Sequence, residues 1–424
     1  MSKADAIWLG NGDEWAGYAV AGAGDINADG YADMLVGVPW DDTNGDMAGA
    51  AYVILGGSGT FPALAQSEAK LLGPYWSGAG TTVAGAGDIN NDGHDDIMVG
   101  APERNEATGA VFLLYGPVTG EVELTDADAR LVGKDTWVGL GLSLAAVGDV
   151  DGDGVDDLAV SDEQDEVYVM FGPVEGRVKM PDADARLIGE GNGAGDGLAG
   201  LDVNGDGLGD LVIGASSDNT NKKSAGAAYL ALAPMSGYVD LSWPDAKYLG
   251  KKKWDFAGAG VDGAGDIDGD GLDDVLIGAP GVSTNGDHAG AAYLVLGWTE
   301  GELDLASVAE AEFLGERADD LAGQEVAGVG DVNGDGSNDI LIGAEGESSG
   351  GGRAGAVYFV AGPVSGQIEL SNATAKLLGE APNNLAGSTI SGAGDVNSDG
   401  FPDIITGAPG SWEGTIYLVF GGTL

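Results

Sequence analysis

Cysteine is absent from this 424-residue chain, and histidine occurs only as His94 and His288. The first absence excludes disulfide staples and thiolate chemistry. The second argues against a histidine-rich zinc centre and weakens any histidine-based catalysis. Positive charge is scarce as well: 17 Lys and Arg face 69 Asp and Glu, for a formal net charge of −52. Such a chain repels phosphate backbones and anionic lipid, so neither nucleic acid nor membrane is expected as a partner. It suits bound cations and saline surroundings. No apolar run approaches the roughly 18–20 residues that span a bilayer, so no membrane insertion is expected. The opening MSKADAIWLG lacks the apolar core of a secretory signal.

Glycine is abundant, with 79 residues, in a chain that is 43% hydrophobic. That hydrophobic share can fill a core, which separates the sequence from disordered acidic tails. Glycine without a collagen-like period points to many tight turns.

The glycines belong to a repeat. DINADGYAD begins at Asp25, DINNDGHDD at Asp88, DVDGDGVDD at Asp149, DVNGDGLGD at Asp202, DIDGDGLDD at Asp266, DVNGDGSND at Asp331 and DVNSDGFPD at Asp395, spaced by 63, 61, 53, 64, 65 and 64 residues. A small-residue stretch such as YAVAGAG precedes each nonapeptide, and three short apolar runs such as MLVG, AAYVILG and AKLLG follow it. These runs are β-branched or aromatic and bounded by Gly, Asn and Asp, which predicts strands, with almost no helix. Four strands per repeat, seven times over, predict an all-β, seven-bladed β-propeller of four-stranded antiparallel blades as one domain over 1–424. A solenoid is the alternative, but the ends favour a ring. Ala4–Gly10 matches the third run yet precedes the first nonapeptide, and repeat seven stops after TIYLVFGGTL, one strand short. The N-terminal strand is therefore expected to complete blade seven. The Gly and Ala of the small-residue stretches suit innermost strands crowded around an axis.

The nonapeptide reads D-x-[DN]-x-D-G-x-x-D. Ca²⁺ takes six to eight hard oxygens, and such a loop offers side-chain oxygens at positions 1, 3, 5 and 9 and a backbone carbonyl at position 7. The candidate metal sets, with the position-7 residue named last, are Asp25, Asn27, Asp29, Asp33 and Tyr31, then Asp88, Asn90, Asp92, Asp96 and His94. Repeat three gives Asp149, Asp151, Asp153, Asp157 and Val155, and repeat four Asp202, Asn204, Asp206, Asp210 and Leu208. The remaining sets are Asp266, Asp268, Asp270, Asp274 and Leu272, then Asp331, Asn333, Asp335, Asp339 and Ser337, then Asp395, Asn397, Asp399, Asp403 and Phe401. Up to seven Ca²⁺ are expected. An EF-hand would need a Glu at position 12 and a following helix. Here apolar strand residues stand at that point (Val36, Val99, Val160, Ile213, Ile277 and Ile342) or beside it (Ile405). Position 9 must then close the site. The plainer reading, a turn built from Asp, Asn and Gly, suits one copy better than seven.

These motifs resemble the FG-GAP repeats of integrin α-subunit propellers, over essentially the whole chain. The GAP element stands as Gly37-Val38-Pro39, Gly100-Ala101-Pro102, Gly278-Ala279-Pro280 and Gly407-Ala408-Pro409. It weakens to Gly214-Ala215-Ser216 and Gly343-Ala344-Glu345 and is lost as Ser161-Asp162-Glu163. The FG element keeps Gly17, Gly80, Gly141, Gly258, Gly323 and Gly387, with Ala16, Ala79, Leu140, Ala257, Ala322 and Ala386 in place of Phe; repeat four has no clear counterpart. The resemblance implies calcium in the loops joining strands 1 and 2 on the lower face, and protein ligands on the upper face. It suggests a bacterial integrin-like protein, without the further domains of an integrin subunit.

On the upper face are expected the variable strand 2–3 loops, among them PERNEATG and the short DEQDE of Asp162–Glu166, together with Trp15, Trp40, Trp76, Trp137, Trp254 and Trp412. These Trp either cap blade ends or form a recognition surface. Lys222, Lys223, Lys251, Lys252 and Lys253 should lie at the border of blades four and five, as a solvated patch or an anchor for an acidic partner. The expected function is a non-enzymatic, calcium-binding adhesion module, monomeric and secreted or at the cell surface, its signal removed or replaced. A lectin-like carbohydrate-binding propeller and the accessory propeller of a larger secreted enzyme are the alternatives. No G-x-S-x-G elbow or zinc signature supports catalysis by the chain itself.

Overall fold

The computed structural model describes the chain apart from residues 2, 13, 60, 104–107, 137, 412 and 424. Trp137, Trp412 and part of the PERNEATG loop therefore lie outside the described residues. Seven sheets are arranged as seven blades. Blade one shows the plan: Ala19–Gly24, Asp33–Val38, Ala50–Ile54 and Ala69–Leu72, each antiparallel to the one before. The two middle strands are buried throughout, which is why they read as unbroken apolar runs rather than alternating ones. The innermost strands contact those of neighbouring blades around the ring, Ala19–Gly24 touching both Thr82–Gly87 and Thr389–Gly394. Gly accommodates that approach: a Cβ at Gly22 would sit 2.7 Å from the Gly392 carbonyl oxygen.

Ring closure is as expected. Ala6–Leu9 pairs antiparallel with Thr415–Val419, in the register Ala6 to Leu418 and Leu9 to Thr415, and becomes the outer strand of blade seven. Trp8, 3% exposed, anchors it in the core. Helix is confined, among the described residues, to Leu305–Val308 and a few 3-10 turns.

Three findings depart from the sequence reading. Repeat four does have the FG element, as Ala194-Gly195. The Gly195 N–H donates to Gly214 O at 2.9 Å, the same bond Gly258 makes to Gly278 O at 2.8 Å. It was hidden because GNGAGDG offers several equivalent Gly. The twelfth residue of the last loop is not apolar but Thr406, buried, its hydroxyl donating to Thr389 O at 3.0 Å.

Most consequentially, five blades carry a fifth strand. Gly120–Glu123, Gly176–Lys179, Gly237–Asp240, Gly301–Asp304 and Gly366–Glu369 pair parallel with the fourth strands of blades one to five. Each comes from the connection between strands 3 and 4 of the next blade, so successive blades are clasped at the rim. Each is followed by a buried apolar anchor: Leu124, Met180, Leu241, Leu305 and Leu370.

The scarce cations also have a pattern. Lys70, Arg186, Lys247 and Lys376 occupy the second position of fourth strands. Lys247 Nζ lies 3.0 Å from Asp218 and 2.7 Å from Glu190, and Tyr229 donates to Asp218 at 2.9 Å. Lys70 with Asp41 and Tyr52, and Lys376 with Glu347, Glu316 and Tyr358, repeat the arrangement. Asp218 is 1% exposed. Lys247→Ala strands that carboxylate without its counter-charge and should cost about 3–5 kcal/mol, read as a lowered midpoint in urea unfolding; an unchanged midpoint would show that the pair carries no net stability.

Candidate metal loops and the axial face

Every nonapeptide connects an innermost strand to the second strand, and all seven adopt one backbone-wrapped form. In loop three the Asp149 carboxylate accepts from the N–H groups of Asp153 at 3.1 Å and Gly154 at 2.8 Å. Asp151 accepts from Asp153 N–H at 3.0 Å, and Asp153 from Val155 N–H at 2.9 Å. These are Asx turns, in which a short carboxylate or amide substitutes for a backbone acceptor. The same bonds recur at Asp25, Asp88, Asp202, Asp266, Asp331 and Asp395. Gly at position 6 has positive φ throughout, +86° at Gly154 for example, so a side chain there would be strained.

The loops thus turn their acids inward. In loop three Asp149, Asp151 and Asp153 bring one oxygen each within 4.8 Å of one another, as do Asp266, Asp268 and Asp274 in loop five. Those are the loops with Asp at position 3; elsewhere Asn27, Asn90, Asn204, Asn333 and Asn397 offer an amide oxygen instead. A cluster of hard oxygens on a tight Gly-hinged turn is the donor chemistry of a Ca²⁺ site, so the residues present fit that ion.

Position 9 has a second task. Asp33, Asp96, Asp157, Asp210, Asp274, Asp339 and Asp403 are fully buried at the start of the second strand. One oxygen of Asp157 accepts from Val150 N–H and the other from Gly172 N–H, both at 2.8 Å, so this side chain braces the loop against the end of the third strand. Burial pushes these carboxyls up, to about 6 for Asp33, Asp157, Asp210, Asp274 and Asp403 and about 7 for Asp96, against the opposing pull of backbone N–H groups. The loop's own acids raise them further, and a cation would supply the missing counter-charge.

Position 8, outside the expected ligand set, links neighbouring blades. The Asp95 carboxylate accepts from Asp25 N–H at 2.6 Å, Asp156 from Asp88 N–H at 3.1 Å and Asp273 from Asp202 N–H at 2.9 Å. Asn338 donates to Asp266 O at 3.2 Å. Position 7 does likewise at His94, whose Nδ1 lies 3.2 Å from Ile26 O in the preceding loop. The loops therefore form a belt around one end of the ring.

The strand 2–3 loops lie at the other end. Trp15, Tyr18 and Trp40 cluster there, Trp15 and Trp40 with ring centroids 4.6 Å apart. Trp76 is exposed, and Trp254 lies between Lys223 and Lys253, whose ammonium groups stand 4.6 and 4.8 Å from its ring centroid. Lys222 Nζ donates to Lys251 O at 2.9 Å, which places the lysine patch across the border of blades four and five. The residue before each FG position has φ near +55° to +83°: Trp15, Phe256, Leu321 and Leu385 in four consecutive units of the ring, and Gly78, Gly139 and Gly193 in the other three. A left-handed backbone costs a bulky residue about 1–2 kcal/mol. The chain accepts that cost along one arc of the axial mouth and avoids it along the other.

Within the mouth is a cavity of about 730 Å³, lined by residues of all seven innermost strands or their leads, among them Trp15, Thr82, Asp196, Glu325 and Glu345. Glu325 is pushed up to about 8 by burial, then by the charges of Asp262 and Glu345. The native state therefore holds this proton more tightly than the unfolded chain. Its contribution to stability is complete below about 4.5 and lost as pH rises through about 8. Glu325→Gln should flatten that part of the pH–stability curve and raise the melting temperature at pH above 8. A curve of unchanged slope would mean that Glu325 is not held protonated.

The FG-GAP repeat model matches residues 16–54, 79–114, 194–230, 257–295, 322–360 and 386–419, more than half the chain, and passes over repeat three, where GAP is lost. Among curated proteins, the chain is 29% identical to integrin alpha pat-2 of Caenorhabditis briggsae over 260 residues, 55% of this chain and 20% of that protein. It is 37% identical to integrin alpha-4 of Xenopus laevis over 145 residues, 32% of this chain and 13% of that protein. With integrin alpha-6 of Gallus gallus it shares 36% over 155 residues, 36% of this chain and 14% of that protein. The matched stretches thus span a fifth or less of those relatives. With the propeller, the repeated loops and the matched segments all in register, this chain belongs to the FG-GAP repeat family.

Proposed function

We propose that this chain is a calcium-stabilised, non-enzymatic binding module, acting outside the cell or at its surface as one monomeric propeller domain over 1–424, with a protein ligand on the upper face. The observation that carries the calcium half is the sevenfold recurrence of one donor set, converging in loops three and five as clusters of three carboxylates. Positions 1, 3, 5 and 9 would hold the ion, with the carbonyl of position 7. The ion neutralises charge and fixes the turn; it does no chemistry on a substrate. The ligand half is supported by the relatives named as integrin alpha chains and by the strained arc of Trp15, Phe256, Leu321 and Leu385. A carbohydrate ligand is the second reading, favoured by the Trp15–Tyr18–Trp40 cluster at the cavity rim.

Elemental analysis after exhaustive dialysis against micromolar calcium tests the metal assignment. Several calcium ions per chain, up to seven, are expected, with magnesium retained far less because it demands near-octahedral geometry. Calcium at background level would reject it.

A further inference from the structure

We propose that the lysine patch at the border of blades four and five is a docking surface for a short acidic segment of a protein partner. That the partner is a polypeptide rests on the proposed protein ligand of the upper face; that its segment is acidic rests on the patch.

The other blades show what these positions hold when no lysine is needed. Trp254 N–H donates to Lys223 O at 3.1 Å, as Trp76 N–H does to Asp46 O at 3.2 Å and Asp319 N–H to Asp287 O at 2.8 Å. Lys223 therefore stands where blades one and five have Asp46 and Asp287. Likewise the N–H groups of Gly250, Gly315 and Gly379 donate to the carbonyls of Gly226, Gly290 and Gly355, so Lys251 takes the place of Glu316 and Glu380. Ala225 N–H donates to Lys222 O as Ala48 N–H does to Gly45 O, so Lys222 replaces a glycine. The same turns are built with acids or glycine, and the fold does not call for the lysines.

Lys222, Lys223, Lys251, Lys252 and Lys253 are all exposed. Elsewhere Lys70, Lys134, Arg186, Lys247, Arg353 and Lys376 sit in ion pairs; among the described residues none of the five does. With 69 acids to 17 bases in the chain, carboxylate partners are not in short supply. The one acid of the segment, Asp255, is buried, and its carboxylate accepts from Lys252 N–H at 2.6 Å. It feels the charges of Lys252 and Lys222 without an ion pair to either. Trp254 gathers two of the cations, the Lys223 and Lys253 ammonium groups standing 4.6 and 4.8 Å from its ring centroid. Their placement is thus fixed in part before a partner arrives.

The chemistry of the patch selects the partner. Lysine offers a point charge, suited to single carboxylates, and the patch lacks the arginine fork that grips phosphate from two sides. Around it the chain carries the excess of acids, and electrostatic attraction fades over about 8 Å at physiological ionic strength. A long polyanion laid across the face would meet repulsion on either side. An extended peptide of four residues spans roughly 13 Å and stays near the lysines. The Trp254 face is taken up by ammonium groups, which leaves a sugar ring nothing to stack on.

The test is lysine acetylation footprinting of the whole chain, read by mass spectrometry. The probes are the synthetic peptide Gly-Asp-Glu-Asp-Glu-Gly with blocked ends and a galacturonate tetramer with as many carboxylates. Saturating peptide should slow acetylation of the five patch lysines several-fold and leave the exposed Lys3 and Lys179 unchanged. The triple variant Lys223→Glu, Lys251→Glu, Lys253→Glu should bind the labelled peptide about tenfold or more weakly in fluorescence anisotropy. Reversing Lys3, Arg177 and Lys179, an equal change in net charge, should leave binding as it was. Absence of protection by either probe overturns the proposal and leaves a protein ligand elsewhere on the face untouched. Protection by the tetramer at the same or lower concentration than the peptide overturns it together with the polypeptide reading of this face. Equal weakening by the two triple variants overturns it as well, because the patch would then have no part of its own in binding.

Discussion

Chelation by EGTA should lower the melting temperature by about 20 °C if all seven loops hold calcium at a hundred times its dissociation constant, since each site then adds about 2.7 kcal/mol against an unfolding entropy of about 2.1 cal/mol/K per residue. The loss has two sources. Within each loop, acids about 4 Å apart repel by about 1 kcal/mol per pair in water and by more where they are partly desolvated. Between loops, the contacts of Asp95, Asp156, Asp273 and Asn338 join four of the seven turns to the preceding blade, so a relaxed loop loosens its neighbour as well. The expected form is a single transition moved down in temperature and restored by excess calcium. Identical melting curves with and without EGTA would remove calcium from the account of stability.

Deleting residues 1–10 should have an effect of similar size. The pairing of Ala6–Leu9 with Thr415–Val419 is lost, and so is the core contribution of Trp8, whose truncation alone is expected to cost about 3–5 kcal/mol. Blade seven is left with a bare outer edge along Thr415–Val419, a template for aggregation. Loss of the cooperative melt is expected, with recovery on adding the peptide Ala-Asp-Ala-Ile-Trp-Leu-Gly. A truncated chain that melts as the whole one does would mean that the ring is not closed by this strand.

Much of this architecture was legible in the chain because repetition amplifies weak signals. One DxNxDG is a turn; seven in step identify a loop family and count the blades. The overhanging AIWL predicted closure because it matched a column left empty at the other end. Other features were illegible for physical reasons. The rim strands, such as Gly120–Glu123, are four residues long and largely exposed, so neither length nor hydrophobicity marks them. Position 8 reads Ala32, Asp95, Asp156, Gly209, Asp273, Asn338 and Pro402, a column without pattern, because its partner lies in the preceding blade. The bracing role of Asp157 and its counterparts was masked by the ligand pattern that explained the same residue. The lysines of the fourth strands were visible as the second letter of AKLLG and AKYLG, and their acid partners Asp41, Asp218 and Glu347 each stand 29 residues earlier, but one acid among 69 carries no local mark of the pairing.

The register of the closing strand has a mechanical corollary. Ala6 lies opposite Leu418 and Leu9 opposite Thr415, so the chain leading into the first strand and the chain leaving the last depart from the same end of the pair. A load pulling those two ends apart peels the ladder open one residue pair at a time instead of shearing every bond together. The molecule withstands tension poorly along this line and well along others. A tether drawn through both ends would part blade seven first, leaving the other six blades stacked as an open arc.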